Sequence, residues 1–177
     1  MYQKTLMDHK KLIDTCPIGI ALSQIVFTRD KIPDDLIILE LNLSFATMLG
    51  ISADTIPGKS IKELLRLLEW GSVGPMLHSA ITAHGNGTET FDYYDIARNH
   101  WLKVELKAMS PDTIVLFLID ISQHKIHEEM LRINEERFRT LLDMAPDIIF
   151  VQTEGKFAYV NQAMINTLGM TSAGELL

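Results

Sequence analysis

The run Ile114-Val115-Leu116-Phe117-Leu118-Ile119 is unbroken, apolar and rich in β-branched residues. That is the pattern of a strand buried on both faces. After Asp120-Ile121-Ser122 the period changes. From Gln123 to Met144 there is no Gly or Pro, and Glu, Arg, Leu and Met dominate, which predicts one helix over 123–144. Ser122 is placed to cap it, and Pro146 closes the run. At about 1.5 Å per residue the helix is a rod of about 33 Å. A buried strand delivered straight into an exposed rod requires a folded block before it and something for the rod to enter after it.

The block before it reads in order. Residues 2–15 form an amphipathic helix with Leu6, Ile13 and His9 or Lys10 on one side, ended by Cys16-Pro17. Residues 18–28 and 36–41 are strands joined by the turn chemistry of 29–35, and so a hairpin. Asn42 caps a short helix that Gly50 stops. Residues 60–70 carry Ile61, Leu64, Leu65 and Leu68 at helical spacing. Gly71 and Gly74-Pro75 break the pattern before a further helix over 76–83. Strands follow over 88–96, 101–109 and 114–119. Strands at both ends with helices between them imply an α+β fold, one five-stranded antiparallel sheet with helices on one face.

Composition narrows the partners. A net charge of −7 over 177 residues argues against nucleic acid and anionic membrane surface, which require basic patches. The single Cys16 excludes an internal disulfide framework and fits a reducing, cytoplasmic setting. There is no apolar run of 18 residues and no signal-peptide pattern at the start.

The chain also repeats itself. Ile13-Asp14-Thr15-Cys16-Pro17 matches Leu142-Asp143-Met144-Ala145-Pro146, an apolar residue, Asp, two residues and Pro at a helix end. Asn42 and Asn161 each open a short helix, and Leu49-Gly50-Ile51-Ser52 matches Leu168-Gly169-Met170-Thr171. The distance from Asp to Asn is ten residues shorter in the second copy, a deletion expected in its hairpin turn.

With those residues in view, the chain resembles tandem PAS sensory domains of prokaryotic signalling proteins, of the sensor histidine kinase or cyclic-di-GMP enzyme type. The resemblance rests on Asn42-x-x-Phe45-x-x-Met48-x-Gly50, one residue longer than the family's block, on Gly58-Lys59-Ser60 opening the next helix, and on Trp101 starting the penultimate strand. It rests also on Asp120-Ile121-Ser122-Gln123-His124-Lys125, close to the family's Asp-Ile-Thr-x-x-Lys ending. Glu136 to Leu142 followed by Ala145-Pro146-Asp147 looks like the start of a following PAS domain.

The resemblance implies a helix over 1–15, a PAS domain over 16–122, a linker helix over 123–145 and the first part of a second PAS domain over 146–177. It implies a non-catalytic sensory and dimerisation module, with a small-molecule ligand and an output domain as partners. A cavity would be lined by Ile20, Leu22 and Leu39 from the first strands and by Phe45, Met48, Leu64 and Met76 from the helices. Leu102, Val104, Leu116 and Leu118 would line it from the last strands. The alternative is an ordinary filled core. Asp120, Ser122 and Lys125 would relay the signal. Met130, Ile133, Phe138 and Leu141 would form a homodimer interface, with the apolar stripe of the rod changing face midway.

Flavin-photoactive relatives need a Cys among the helices, and Cys16 precedes the first strand. Haem relatives place a His on the last helix before the third strand, and neither His78 nor His84 falls at that position. Neither flavin nor haem is expected. His124 and His127 with Glu128 share one helix but lack a third convergent metal ligand. An enzyme alternative uses residues 53–60, Ala53 to Ser60, as a relaxed phosphate loop. There Ala53 replaces the first Gly, Pro57 removes an amide, and a helix rather than a strand comes before.

Overall fold

The computed structural model describes residues 11–71, 73–82 and 88–175. The chain divides after Gln123 into two compact units.

In the first unit β1 (Gly19–Phe27), β2 (Pro33–Leu41), β3 (Thr88–Asp95), β4 (His100–Ser110) and β5 (Thr113–Asp120) form one antiparallel sheet in the order β2-β1-β5-β4-β3. Between β2 and β3 lie α1 (Leu43–Leu49), a 3-10 turn (Ala53–Thr55), α2 (Ile61–Leu67) and α3 (Val73–Thr82). One apolar core joins Phe45, Leu49, Leu64 and Leu77 from the helices to Leu102, Val104, Leu116 and Leu118 from the sheet. The β-branched run of β5 sits in the middle of the sheet, between β1 and β4, as its continuous apolarity requires.

Four expected cavity residues lie elsewhere. On β1 the buried side is Gly19, Ala21, Ser23 and Ile25, while Ile20 and Leu22 are half-buried on the opposite face. The reason is spacing. A Cβ at Gly19 would stand 2.9 Å from the Phe45 Cα, so the small-residue side of β1 must face α1 and the larger aliphatics must turn away. On β2 the register runs Leu22↔Glu40 and then Ser23↔Ile38. Leu39 is the extra residue of a β-bulge, and it is 41% exposed while Leu36 and Ile38 are buried. On α3 the inward residues are Val73, Leu77 and Ile81, and Met76 is 47% exposed. Gly74 and Pro75 do not break this helix. They occupy its first turn, where a missing amide proton costs nothing.

The second unit begins in the long helix α4 (Ser122–Met144), 23 residues with none buried. It continues with β6 (Phe150–Thr153), β7 (Lys156–Val160), α5 (Gln162–Leu168) and a 3-10 turn (Ala173–Glu175). β6 and β7 form a two-stranded hairpin over Glu154 and Gly155, at φ 52 and 81, values suited to a tight hairpin turn. Val160, Met164 and Ile165 are its buried core. The deletion anticipated in the turn extends into the strands: β1 and β2 have nine residues each, β6 and β7 four and five. The expected 1–15 helix is described over residues 11–15, of which 11–14 are helical and Thr15 is a turn; residues 1–10, with His84, lie outside the described residues.

Candidate functional site: core cavity, capping asparagines and helix junction

Between α1, α2, α3 and the sheet lies a cavity of about 30 Å³. Phe45, Leu64, Val104, Leu116 and Leu118 line it, as do Leu49, Leu68, Trp70 and Leu77, which the sequence reading left out. The helical spacing of Leu64, Leu65 and Leu68 was the signal for part of the missing wall. Leu102 is fully buried in the same core, and Met48 packs half-buried against it. The volume is that of about one water molecule, yet a buried water needs two to four polar partners, and the surface that faces the space is apolar. The space is therefore dry. Trp70 lies tilted against Tyr93, with ring centroids 4.8 Å apart, and its Nε1 has no hydrogen-bond partner among the described residues.

One buried asparagine organises each unit. Asn42 Oδ1 accepts from the Ile20 amide (2.8 Å) and, capping α1, from the Phe45 amide (3.0 Å). Its Nδ2 donates to the carbonyls of Ile13 (2.9 Å) and Ile18 (2.8 Å). Asn161 repeats the pattern, accepting from Ile149 and Met164 and donating to Leu142 and Asp147. Both helices end on a glycine in the left-handed region, Gly50 at φ 65 and Gly169 at φ 67. A single side chain thus ties the end of the preceding helix, the first strand and the next helix together. At Asn161 the helix so tied is α4, through Leu142.

The junction of β5 with α4 is held from the neighbouring strand. The Ser122 amide donates to Asp120 Oδ1 at 2.9 Å. Ser122 was expected to cap the helix; instead its Oγ accepts from the Trp101 amide at 2.9 Å, and the Ile121 amide donates to the Trp101 carbonyl. Burial pushes the Asp120 carboxyl up, but the Ser122 hydrogen bonds and the nearby His100 bring it below the usual carboxylate range. Stability from such a group is complete above the unfolded value of about 4 and is lost as pH falls through the lower folded value. Asp120→Ala removes the acceptor of the Ser122 amide at the exposed start of α4 and is expected to cost at most about 1 kcal/mol at neutral pH. Parallel thermal melts check this, with the difference from the parent shrinking in acid. Lys125, the third residue named for relay, is half-buried and lies 4.0 Å from Glu128.

Residues 53–60 do not form a phosphate cradle. The Gly58 amide donates to the Ile38 carbonyl and the Lys59 amide to the Ile56 carbonyl. Lys59 Nζ pairs with Glu63, and Ser60 Oγ donates to Asp35. The segment stitches the start of α2 to β2. No group of three His, Cys, Asp or Glu side chains among the described residues is placed to hold a metal ion. On α4, Met130, Phe138 and Leu141 are 58–68% exposed, and Ile133 is half-buried. No helix among the described residues is long and apolar enough to cross a membrane.

The family model described as PAS domain matches residues 8–81 and 136–177. An RNA-binding light-oxygen-voltage receptor is similar at 16% identity and TM-score 0.50, over 78% of this chain and 39% of that one. The PAS domain of a Colwellia psychrerythraea protein is 14% identical over 67% of this chain and 98% of its own, at TM-score 0.49. That of Bordetella pertussis BvgS is 18% identical over 77% and 97%, at TM-score 0.47. No protein with a curated description matches the sequence. With its family model matched over most of its length and its five-stranded sheet closed by helices on one face, the chain belongs to the PAS domain family.

Proposed function

We propose that the chain is a non-catalytic sensory and dimerisation module, a PAS domain followed by the first part of a second. The state of the core would pass along α4 to an output domain of the histidine kinase or cyclic-di-GMP enzyme type, in the cytoplasm. The observation that carries the reading is α4 itself. It starts one residue after β5, a central strand whose Leu116 and Leu118 line the cavity, and runs for 23 residues without burying a side chain. Its apolar residues then need a partner, and a second copy supplies one. Each large apolar side chain covered contributes about 1.5–3 kcal/mol. A dry cavity of about 30 Å³ favours a small apolar guest over any large cofactor.

Native mass spectrometry of the full chain tests both halves, because it reports a retained guest and the oligomer together. The expected species is a dimer. Phe138→Glu with Leu141→Glu is expected to give a monomer whose first unit melts at an unchanged temperature. A parent chain that stays monomeric at high micromolar concentration would remove dimerisation from the reading.

A further inference from the structure

We propose that His100 is a proton-operated latch on the point where α4 leaves the sheet. The imidazole stands at the first position of β4, directly across from Asp95 at the end of β3. Its side chain is 17% exposed, and its Nε2 lies 3.5 Å from Asp95 Oδ2. That nitrogen is buried and makes no hydrogen bond. It is close enough to attract a carboxylate and too far to bond it.

Every charged group named around it belongs to one end of the sheet. Asp95 is 1% exposed; its Oδ1 accepts from the Ala97 and Arg98 amides, and its Oδ2 takes Arg98 Nη1 at 2.9 Å. Arg98 in turn lies over Gly50, at the end of α1. From β5, Asp120 pairs with Leu102, the next same-face residue along β4 from His100. The next residue along β4, Trp101, makes the backbone bonds that hold Ile121 and Ser122. His100 thus stands opposite Asp95 and one strand step from Asp120, beside the clasp of α4.

The chemistry has one direction. A proton on the imidazole converts a loose approach into a charge-assisted hydrogen bond with Asp95 and adds attraction to Asp120. Both carboxyls are held below their ordinary range, the buried Asp95 by Arg98 and His100 and the exposed Asp120 by Ser122 and His100. They therefore remain charged where histidines change state. The added bond exists on the acid side and disappears as pH rises, so acid tightens the start of α4 and alkali loosens it. The latch works whether or not a guest enters the core.

The test is hydrogen exchange of the Trp101 and Ile121 amides in the full chain, at about pH 5.5 and about pH 8, corrected for intrinsic rates. Opening is expected to be about fivefold rarer in acid for the parent chain. That ratio falls to about one in His100→Gln and is kept in His124→Gln and His127→Gln. A ratio of about one in the parent chain, or a full ratio in His100→Gln, overturns the proposal. If His100→Gln does not fold, the titration of the His100 ring nitrogens by NMR decides in the parent chain. The Ile121 amide must move with the same midpoint, and a different midpoint overturns the latch.

Discussion

Asn42→Ala is expected to lower the stability of the first unit by about 3–4 kcal/mol, since each net hydrogen bond is worth about 1 kcal/mol and an orphaned buried group costs more. At several degrees per kcal/mol, that is a drop of roughly 15 °C in the melting midpoint. The side chain is 1% exposed, and its loss leaves the amides of Ile20 and Phe45 and the carbonyls of Ile13 and Ile18 without this partner. Asn42→Asp separates the two halves of the role. Its carboxylate still accepts from both amides but faces the two carbonyls with no proton to give. The carboxyl is therefore raised, and this variant, unlike most, is expected to gain stability relative to the parent as pH falls. Asn161→Ala should act alike on the second unit, with exchange accelerating at the Ile149 and Met164 amides. A loss under about 1 kcal/mol in Asn42→Ala would reduce the residue to an ordinary helix cap.

The two asparagines show what was legible in the sequence. Asn42 and Asn161 stood out because a cap, a fixed distance to Gly and a preceding Asp-x-x-Pro recur together, and local chemistry fixes all three. The interior place of β5 in the sheet was legible in its unbroken apolarity. The cavity wall was read less well, for reasons that are tertiary. Ile20 and Leu22 are more apolar than Ala21 and Ser23, so hydropathy alone assigns the wrong face of β1. Only the approach of α1, invisible in the strand's own residues, selects the small side. Leu39 was misassigned because the inward set on β2 is Leu36 and Ile38, and the near-continuous apolarity of Leu36 to Leu41 does not say which alternate set faces in. Met76 was misassigned because the helix starts at Val73, through a Gly-Pro pair that usually stops one. No pattern in the sequence marks His100. A single histidine carries no signal until the sheet sets Asp95 opposite it and Asp120 near it.

Gly19→Val is expected to be the more damaging substitution, by about 4 kcal/mol or more, since overpacking costs of about 1–3 kcal/mol presume neighbours able to shift. Here they are not. The new Cβ would meet the Phe45 Cα at 2.9 Å, the Leu118 Cβ at 3.1 Å and the Phe45 amide nitrogen at 3.2 Å, and two of those three atoms are backbone. β1 cannot retreat, because β2 and β5 pair with it on either side. α1 cannot retreat, because Asn42 bonds the amides of both Ile20 and Phe45. Relief therefore requires breaking the Asn42 bonds, so the two substitutions are coupled. Asn42→Ala with Gly19→Val should cost clearly less than the sum of the single changes. Gly19→Ala keeps the same clash with less bulk and should fall between Val and the parent. Any withdrawal of α1 carries Phe45 away from Leu118 and opens the wall of the core cavity, so the folded fraction of Gly19→Ala should bind a hydrophobic dye that the parent excludes. Thermal melts of the four proteins decide the matter: a Gly19→Val midpoint within a degree or two of the parent would mean that α1 slides freely over β1, and strict additivity would mean that Asn42 does not hold it there.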